Sequence, residues 1–112
     1  MALRPEILRY RKDFDRLYKK GRSSGDRYVV IFFADNRLGF TRKAFVASKK
    51  VGGAVARNRA RRLMKESYRS LEEKIKPGKD ILMIARNTIT GAKCADVEAS
   101  MRKALTKSGL LM

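Results

Sequence analysis

The chain holds few side chains able to make or break covalent bonds. It has no His and one Cys, Cys94. That removes the commonest general base, the Ser–His and Cys–His nucleophile pairs and the commonest metal ligand. A single thiol makes neither an intrachain disulfide nor a cysteine-rich zinc site, and Cys94 reads as a small residue tucked beside a helix. The acid pair weighed as a metal site is Asp13 and Asp15, two residues apart. On a helix they point to different faces, which suits a metal pair poorly, so both read as solvated or capping carboxylates. Cations, by contrast, are abundant. In 112 residues, 28 Lys and Arg stand against 11 Asp and Glu, a net charge of +17. Such a surplus repels itself and calls for an anionic partner: nucleic acid, an anionic membrane face or an acidic protein.

The surplus is concentrated. Residues 42–69 carry ten basic side chains and one acid, Glu66, for a net +9. Within them runs Arg57-Asn58-Arg59-Ala60-Arg61-Arg62-Leu63-Met64-Lys65, where five of nine residues are cationic. A solvated helix face normally mixes both signs, since opposite charges four apart stabilise a helix and like charges destabilise it. Here Asn58, Arg61, Arg62, Lys65 and Arg69 fall on one side. Arginine forks match phosphate oxygens bidentately, and Asn58 is placed to bond a base edge or ribose hydroxyl. A membrane-surface helix is the competing use of such a stretch. It needs a free apolar face, and this helix has to cover strands with its own. No stretch approaches the roughly 18 apolar residues of a membrane span. Met1 to Glu6 lacks the apolar run of a signal peptide, and a lone thiol suits the reducing cytosol, so a cytoplasmic protein is expected.

These residues must be positioned by a small set of elements. Phe14, Leu17 and Tyr18 at i, i+3 and i+4, with Gly21 as a stop, predict a helix over about 12–20. The run Arg27 to Ala34 predicts a strand apolar on both faces and covered on both, with Tyr28, Val30 and Phe32 sharing one of them. A second strand over about 42–49 is expected to pair back as a hairpin before Gly52-Gly53 breaks it. The cationic helix then runs over about 55–75, with Ala60, Leu63, Met64, Leu71 and Ile75 as its buried stripe, and Pro77-Gly78 ends it. Asp80 to Ala85 predicts a buried strand, parallel to the one before the helix. Asp96 is placed to cap a last helix burying Val97, Met101, Ala104 and Leu105. With no repeat or long linker, residues 1–112 read as one continuous domain of α+β or α/β class.

The stretch from Ala47 to Arg62, Ala-Ser-Lys-Lys-Val-Gly-Gly-Ala-Val-Ala-Arg-Asn-Arg-Ala-Arg-Arg, resembles the signature of the bacterial ribonuclease P protein subunit. Lys12-Asp13-Phe14 with Tyr18 and Gly21 resembles the family's first helix, and Asp80 to Arg86 its last strand. The resemblance covers about residues 8–107. Ala44 stands where the family often has Gly, Lys65 where Arg is usual before Glu66, and Asn87 where a cation is common.

The resemblance implies an α+β sandwich in αβββαβα order, with a short extra strand around Arg22 to Ser24 and a left-handed crossover around the long helix. It implies a subunit of an endoribonuclease whose catalytic RNA removes the 5′ leader of precursor tRNA, using Mg²⁺ bound mainly by RNA. The expected partners are that catalytic RNA and precursor tRNA, with no membrane and no obligate protein partner. No catalytic or metal-ligating residue is expected in this chain. Arg57, Asn58, Arg59, Arg61, Arg62 and Lys65 are implied to contact the catalytic RNA, with Lys50 and Arg69 on the same surface. Phe14, Tyr18 and Phe32 are implied to line a groove for the single-stranded leader, where aromatic platforms stack on bases of any identity. Arg11, Lys49 and Arg86 add phosphate contacts there. The rival classes are another RNA-binding protein, such as a ribosomal one, and a self-contained nuclease.

Overall fold

A computed structural model describes residues 7–8 and 10–112; the reading of Met1 to Glu6 lies outside them. Among the described residues the order is α1 (Arg11–Lys20), β1 (Arg22–Gly25), β2 (Val29–Asp35), β3 (Arg42–Val46), α2 (Ala54–Leu71), β4 (Lys79–Ala85) and α3 (Cys94–Lys107). Short 3-10 turns occupy Glu72–Lys74 and Asn87–Ile89. This is the expected αβββαβα order of an α+β fold.

The strands lie in the order β1-β2-β4-β3. β2 is antiparallel to both β1 and β4, and β3 is parallel to β4 across the α2 crossover. The expected hairpin between β2 and β3 does not form, because β4 lies between them. β4 is buried at five of seven positions and takes the interior, whereas β3 opens with Arg42 and Lys43, which suit an edge. β3 also stops at Val46. Ser48 then turns the chain: its hydroxyl accepts the Lys50 N–H and its carbonyl the Val51 N–H.

Alternation divides the sheet into two faces. Val29, Ile31 and Phe33 of β2, with Ile81, Met83 and Ala85 of β4, are buried beneath α2 and α3 against Met64, Tyr68, Leu71, Val97, Met101 and Leu105. On the other face Leu82 and Ala44 pack with Leu17 of α1 and with Leu8, whose N–H bonds the Lys43 carbonyl at the β3 edge. Phe14, Phe32, Ala34, Val46 and Ile84 are only half-buried there. β2 is therefore covered fully on one side and partly on the other, since α1 has ten residues, about 15 Å of helix. Gly21 ends α1 where a Cβ would meet the Leu17 carbonyl oxygen at 2.5 Å, so the close return of the chain requires glycine.

Three smaller expectations are corrected. Tyr28 precedes β2 and packs against the core under α2 and α3, because its N–H bonds Ser100 Oγ of α3 at 3.1 Å; it does not share the face of Val30 and Phe32. The α2 helix ends at Leu71, not Ile75. Pro77 favours extended backbone before it, and Ile75 leaves the helix to form a bridge with Leu111 while staying buried. Asp96 is not the cap but the third residue of α3, and its carboxylate accepts the Lys93 N–H at 3.2 Å in a capping box.

Candidate nucleic-acid interface

Burial of Ala60, Leu63, Met64, Ser67, Tyr68 and Leu71 turns the rest of α2 outward. Asn58, Arg62, Lys65 and Arg69 are exposed and Arg61 is half-buried, with Arg61 donating to Asn58 Oδ1. At ~100° per residue these five cover roughly a quarter of the helix circumference. Arg57 and Arg59 flank the stripe. Arg59 donates to the Ala92 carbonyl at 2.7 Å, which ties the loop before α3 to α2, and Arg57 is half-buried. Lys49 and Lys50 stand exposed on the turn leading into α2. Among the described residues none of these cations makes an ion pair with a carboxylate. The first turn of α2 carries no acid, so Arg57 at its end meets the positive end of the helix dipole uncompensated. An incoming anion relieves both strains.

A groove of about 430 Å³ runs along the β3 edge and joins this stripe to the opposite sheet face. Phe14, Ala44 and Val46 line one side; Lys65, Tyr68, Arg69 and Glu72 line the other. Phe45 and Tyr68 meet edge to face at 5.5 Å, and the Lys43 ammonium lies over the Tyr68 ring at 5.3 Å while bonding Glu72 at 3.2 Å. Burial, with the Glu72 charge nearby, pushes the Tyr68 hydroxyl well above the ordinary tyrosine range, so it stays neutral. Sequence reasoning missed Lys43, Phe45, Tyr68 and Glu72. The spacing of Tyr68 after Met64 on the apolar stripe was the available signal.

Beyond Phe14 the groove opens onto the partly covered sheet face. Tyr18 is 49% exposed and meets Phe32 edge to face at 5.1 Å. The three aromatics expected to act together are thus on one surface, although Phe14 also belongs to the groove and Lys65 and Arg69 share that groove with it. Arg11 is exposed at the start of α1. Because β3 and β4 are parallel, Lys49 and Arg86 leave the same end of the sheet, and Arg86 is exposed while donating to the Asp26 carbonyl at 3.3 Å.

Asp13 is not solvated. It is 9% exposed, with Oδ1 lying 3.5 Å from Nη2 of Arg42, and Arg42 also bonds the buried Asp80. Among the described residues no group of three or more His, Cys, Asp or Glu side chains gathers, and the two buried acids are already held by arginines. This donor set does not fit Mg²⁺. The site can grip phosphates and stack bases.

The comparisons with known proteins agree across the chain. A family model described as Ribonuclease P matches residues 3–109. The chain is 42% identical over 103 residues to the ribonuclease P protein component of Pelotomaculum thermopropionicum, covering 92% of each. It is 40% identical over 108 residues to that of Clostridioides difficile, covering 96% of this chain and 95% of the relative. Its fold superposes on the RNase P protein of Staphylococcus aureus with a TM-score of 0.87 at 28% identity, covering 97% of this chain and all of that one. The Thermotoga maritima RNase P protein superposes with a TM-score of 0.82 at 29% identity, covering 91% and 96%.

Proposed function

The chain belongs to the ribonuclease P protein family, and from that premise we propose that it is the protein subunit of the ribonuclease P ribonucleoprotein, acting as one RNA-binding domain in the cytoplasm. It binds the catalytic RNA and the 5′ leader of precursor tRNA while the leader is removed. The observation that carries this reading is two surfaces meeting at one groove: cations without a carboxylate partner along α2, and partly exposed aromatics on the open sheet face. Arg57, Asn58, Arg59, Arg61 and Arg62, with Lys50, grip the folded RNA through backbone and shape. Phe14, Tyr18 and Phe32 stack on unpaired leader bases, and Arg11, Lys49 and Arg86 neutralise leader phosphates. Lys65 and Arg69 sit where the surfaces meet, so they hold the leader's path against the RNA. This chain supplies binding and orientation. The Mg²⁺ of the holoenzyme is bound mainly by the RNA, in keeping with the two buried acids, Asp13 and Asp80, already being held by arginines.

Replacing Phe14 tests the leader surface. Losing one base stack costs about 1–3 kcal/mol, so Phe14→Ala is expected to weaken holoenzyme binding of leader-bearing precursor by roughly 5- to 150-fold. Binding of mature tRNA, which has no leader, and of the catalytic RNA should hold. Because Phe14 is half-buried, its melting temperature is measured alongside. Parallel loss of precursor and mature tRNA in a folded variant removes Phe14 from the leader site.

A further inference from the structure

The second residue of β4 is a carboxylate that neither RNA surface uses. Asp80 is 0% exposed and pairs across the sheet with Arg42 of β3 on one side and Ala34 of β2 on the other. Its Oδ1 accepts Arg42 Nε at 2.8 Å and Asn36 Nδ2 at 2.9 Å; its Oδ2 accepts Arg42 Nη2 at 2.6 Å and Arg16 Nη2. Arg42 reaches on to Asp13. Asp13 and Arg16 come from α1, Asn36 from the loop after β2, Arg42 from the edge strand and Asp80 from the interior strand.

A ten-residue helix has little stability or fixed direction of its own. Only Asp13 and Leu17 of α1 are buried. The apolar anchor and the ionic anchor are thus one turn apart on the same face, and Phe14 and Tyr18 each follow one of them directly in sequence. Rotation of α1 about its axis, which Leu17 alone permits, is stopped by the second anchor.

We propose that Asp80, Arg42, Asp13 and Arg16 form a positioning device for the leader site, fixing the rotation of α1 over the sheet and with it the spacing of Phe14 and Tyr18 from Phe32. The proposal rests on the leader reading given above. These are positioning residues; the two acids have no favourable contact of their own with RNA.

That last point makes the test sharp. Asp13→Asn removes a negative charge from a +17 chain. If charge alone governs, every RNA binds as tightly as before or tighter. If positioning governs, precursor binding by the reconstituted holoenzyme weakens, by about 5- to 10-fold for a partly lost stack. KM for precursor then rises while kcat at saturation, mature tRNA affinity and catalytic-RNA affinity hold. Asp80→Asn is expected to act in the same direction with a lower melting temperature, and Asp13→Asn, at the rim of the network, keeps the test decisive should Asp80→Asn unfold. Phe14→Ala is run in parallel. If it weakens precursor binding and Asp13→Asn does not, the positioning role is wrong and the leader site stands. If Phe14→Ala in folded protein leaves precursor binding unchanged, the leader reading fails and this inference with it. A drop in melting temperature with equal loss of all three RNAs in Asp13→Asn shows a purely structural network and also overturns the proposal.

Discussion

Around Asp80, two arginines and an asparagine converge on one carboxylate out of water; along α2, five arginines and a lysine share no carboxylate among the described residues. The same side chain serves opposite ends in the two regions. Near Asp80 the charges satisfy one another and fix α1, β3 and β4 together, so their removal is felt by the fold. On α2 the charges repel and gain a partner only from outside, so their removal is felt by binding. A charge-dense region declares its purpose by whether its counter-charges lie within the chain.

The largest expected effect breaks the first region. Asp80→Ala leaves Arg42 and Arg16 facing a site without its acid, and breaking a buried pair from one side costs about 3–5 kcal/mol. Arg16 is partly exposed, so the lower end is expected, read by urea unfolding. Arg61→Ala should stay within about 0.5 kcal/mol of the parent. Equal destabilisation by both substitutions erases the contrast. The pH dependence sharpens it. Burial by itself raises the Asp80 carboxyl, but hydrogen bonds from Arg42 and Asn36 and the charges of Arg42 and Arg16 outweigh it and hold it below the ordinary value of 3.8. The folded chain thus binds this proton less readily than the unfolded one. The resulting stability is complete above the ordinary carboxylate range and is lost as pH falls below it toward the folded-state value. Acid unfolding of Asp80→Asn should accordingly show a shallower fall below about pH 4 than the parent.

A smaller effect is expected from the second region. Sulfate or phosphate should raise the melting temperature more than chloride at equal ionic strength, since an anion bound at the crowded cations stabilises the folded form by linkage, by about 1–3 kcal/mol at saturating concentration. Equal shifts with all three salts indicate screening alone.

Much of this contrast was legible in the sequence, and unevenly. The α2 stripe was readable because unopposed like charge is a local pattern at helical spacing, and the parallel relation of β3 and β4 followed from the helix between them. The Asp80 network was not, since its members are up to 67 positions apart and meet only after β4 inserts between β2 and β3. That insertion also defeated the hairpin expectation: two adjacent strands with a short connection carry no local mark that a later, more apolar strand will separate them. β1 came only from the family resemblance, because Arg-Ser-Ser-Gly has no apolar alternation and owes its conformation to pairing with β2. Tyr28 misled because period two was extended one residue past the strand's start, where an α3 hydroxyl takes over the backbone. Phe14 and Tyr18 were recognisable as neighbours one turn apart and Phe32 joined them only through the family resemblance; their partial exposure depends on how little of the sheet α1 covers, a property of helix length and tethering that spacing does not encode.

The most direct test of the central claim is a titration of the catalytic RNA with the protein at several salt concentrations, for the parent and for Arg61→Ala. Docking through the unpaired α2 cations releases counterions from several phosphates. Log affinity should fall linearly with log salt, and loss of one contact should reduce the slope by about 1 while the melting temperature holds. A parent affinity indifferent to salt, or an Arg61→Ala slope equal to the parent's, would contradict the account of α2 as the surface that holds the RNA.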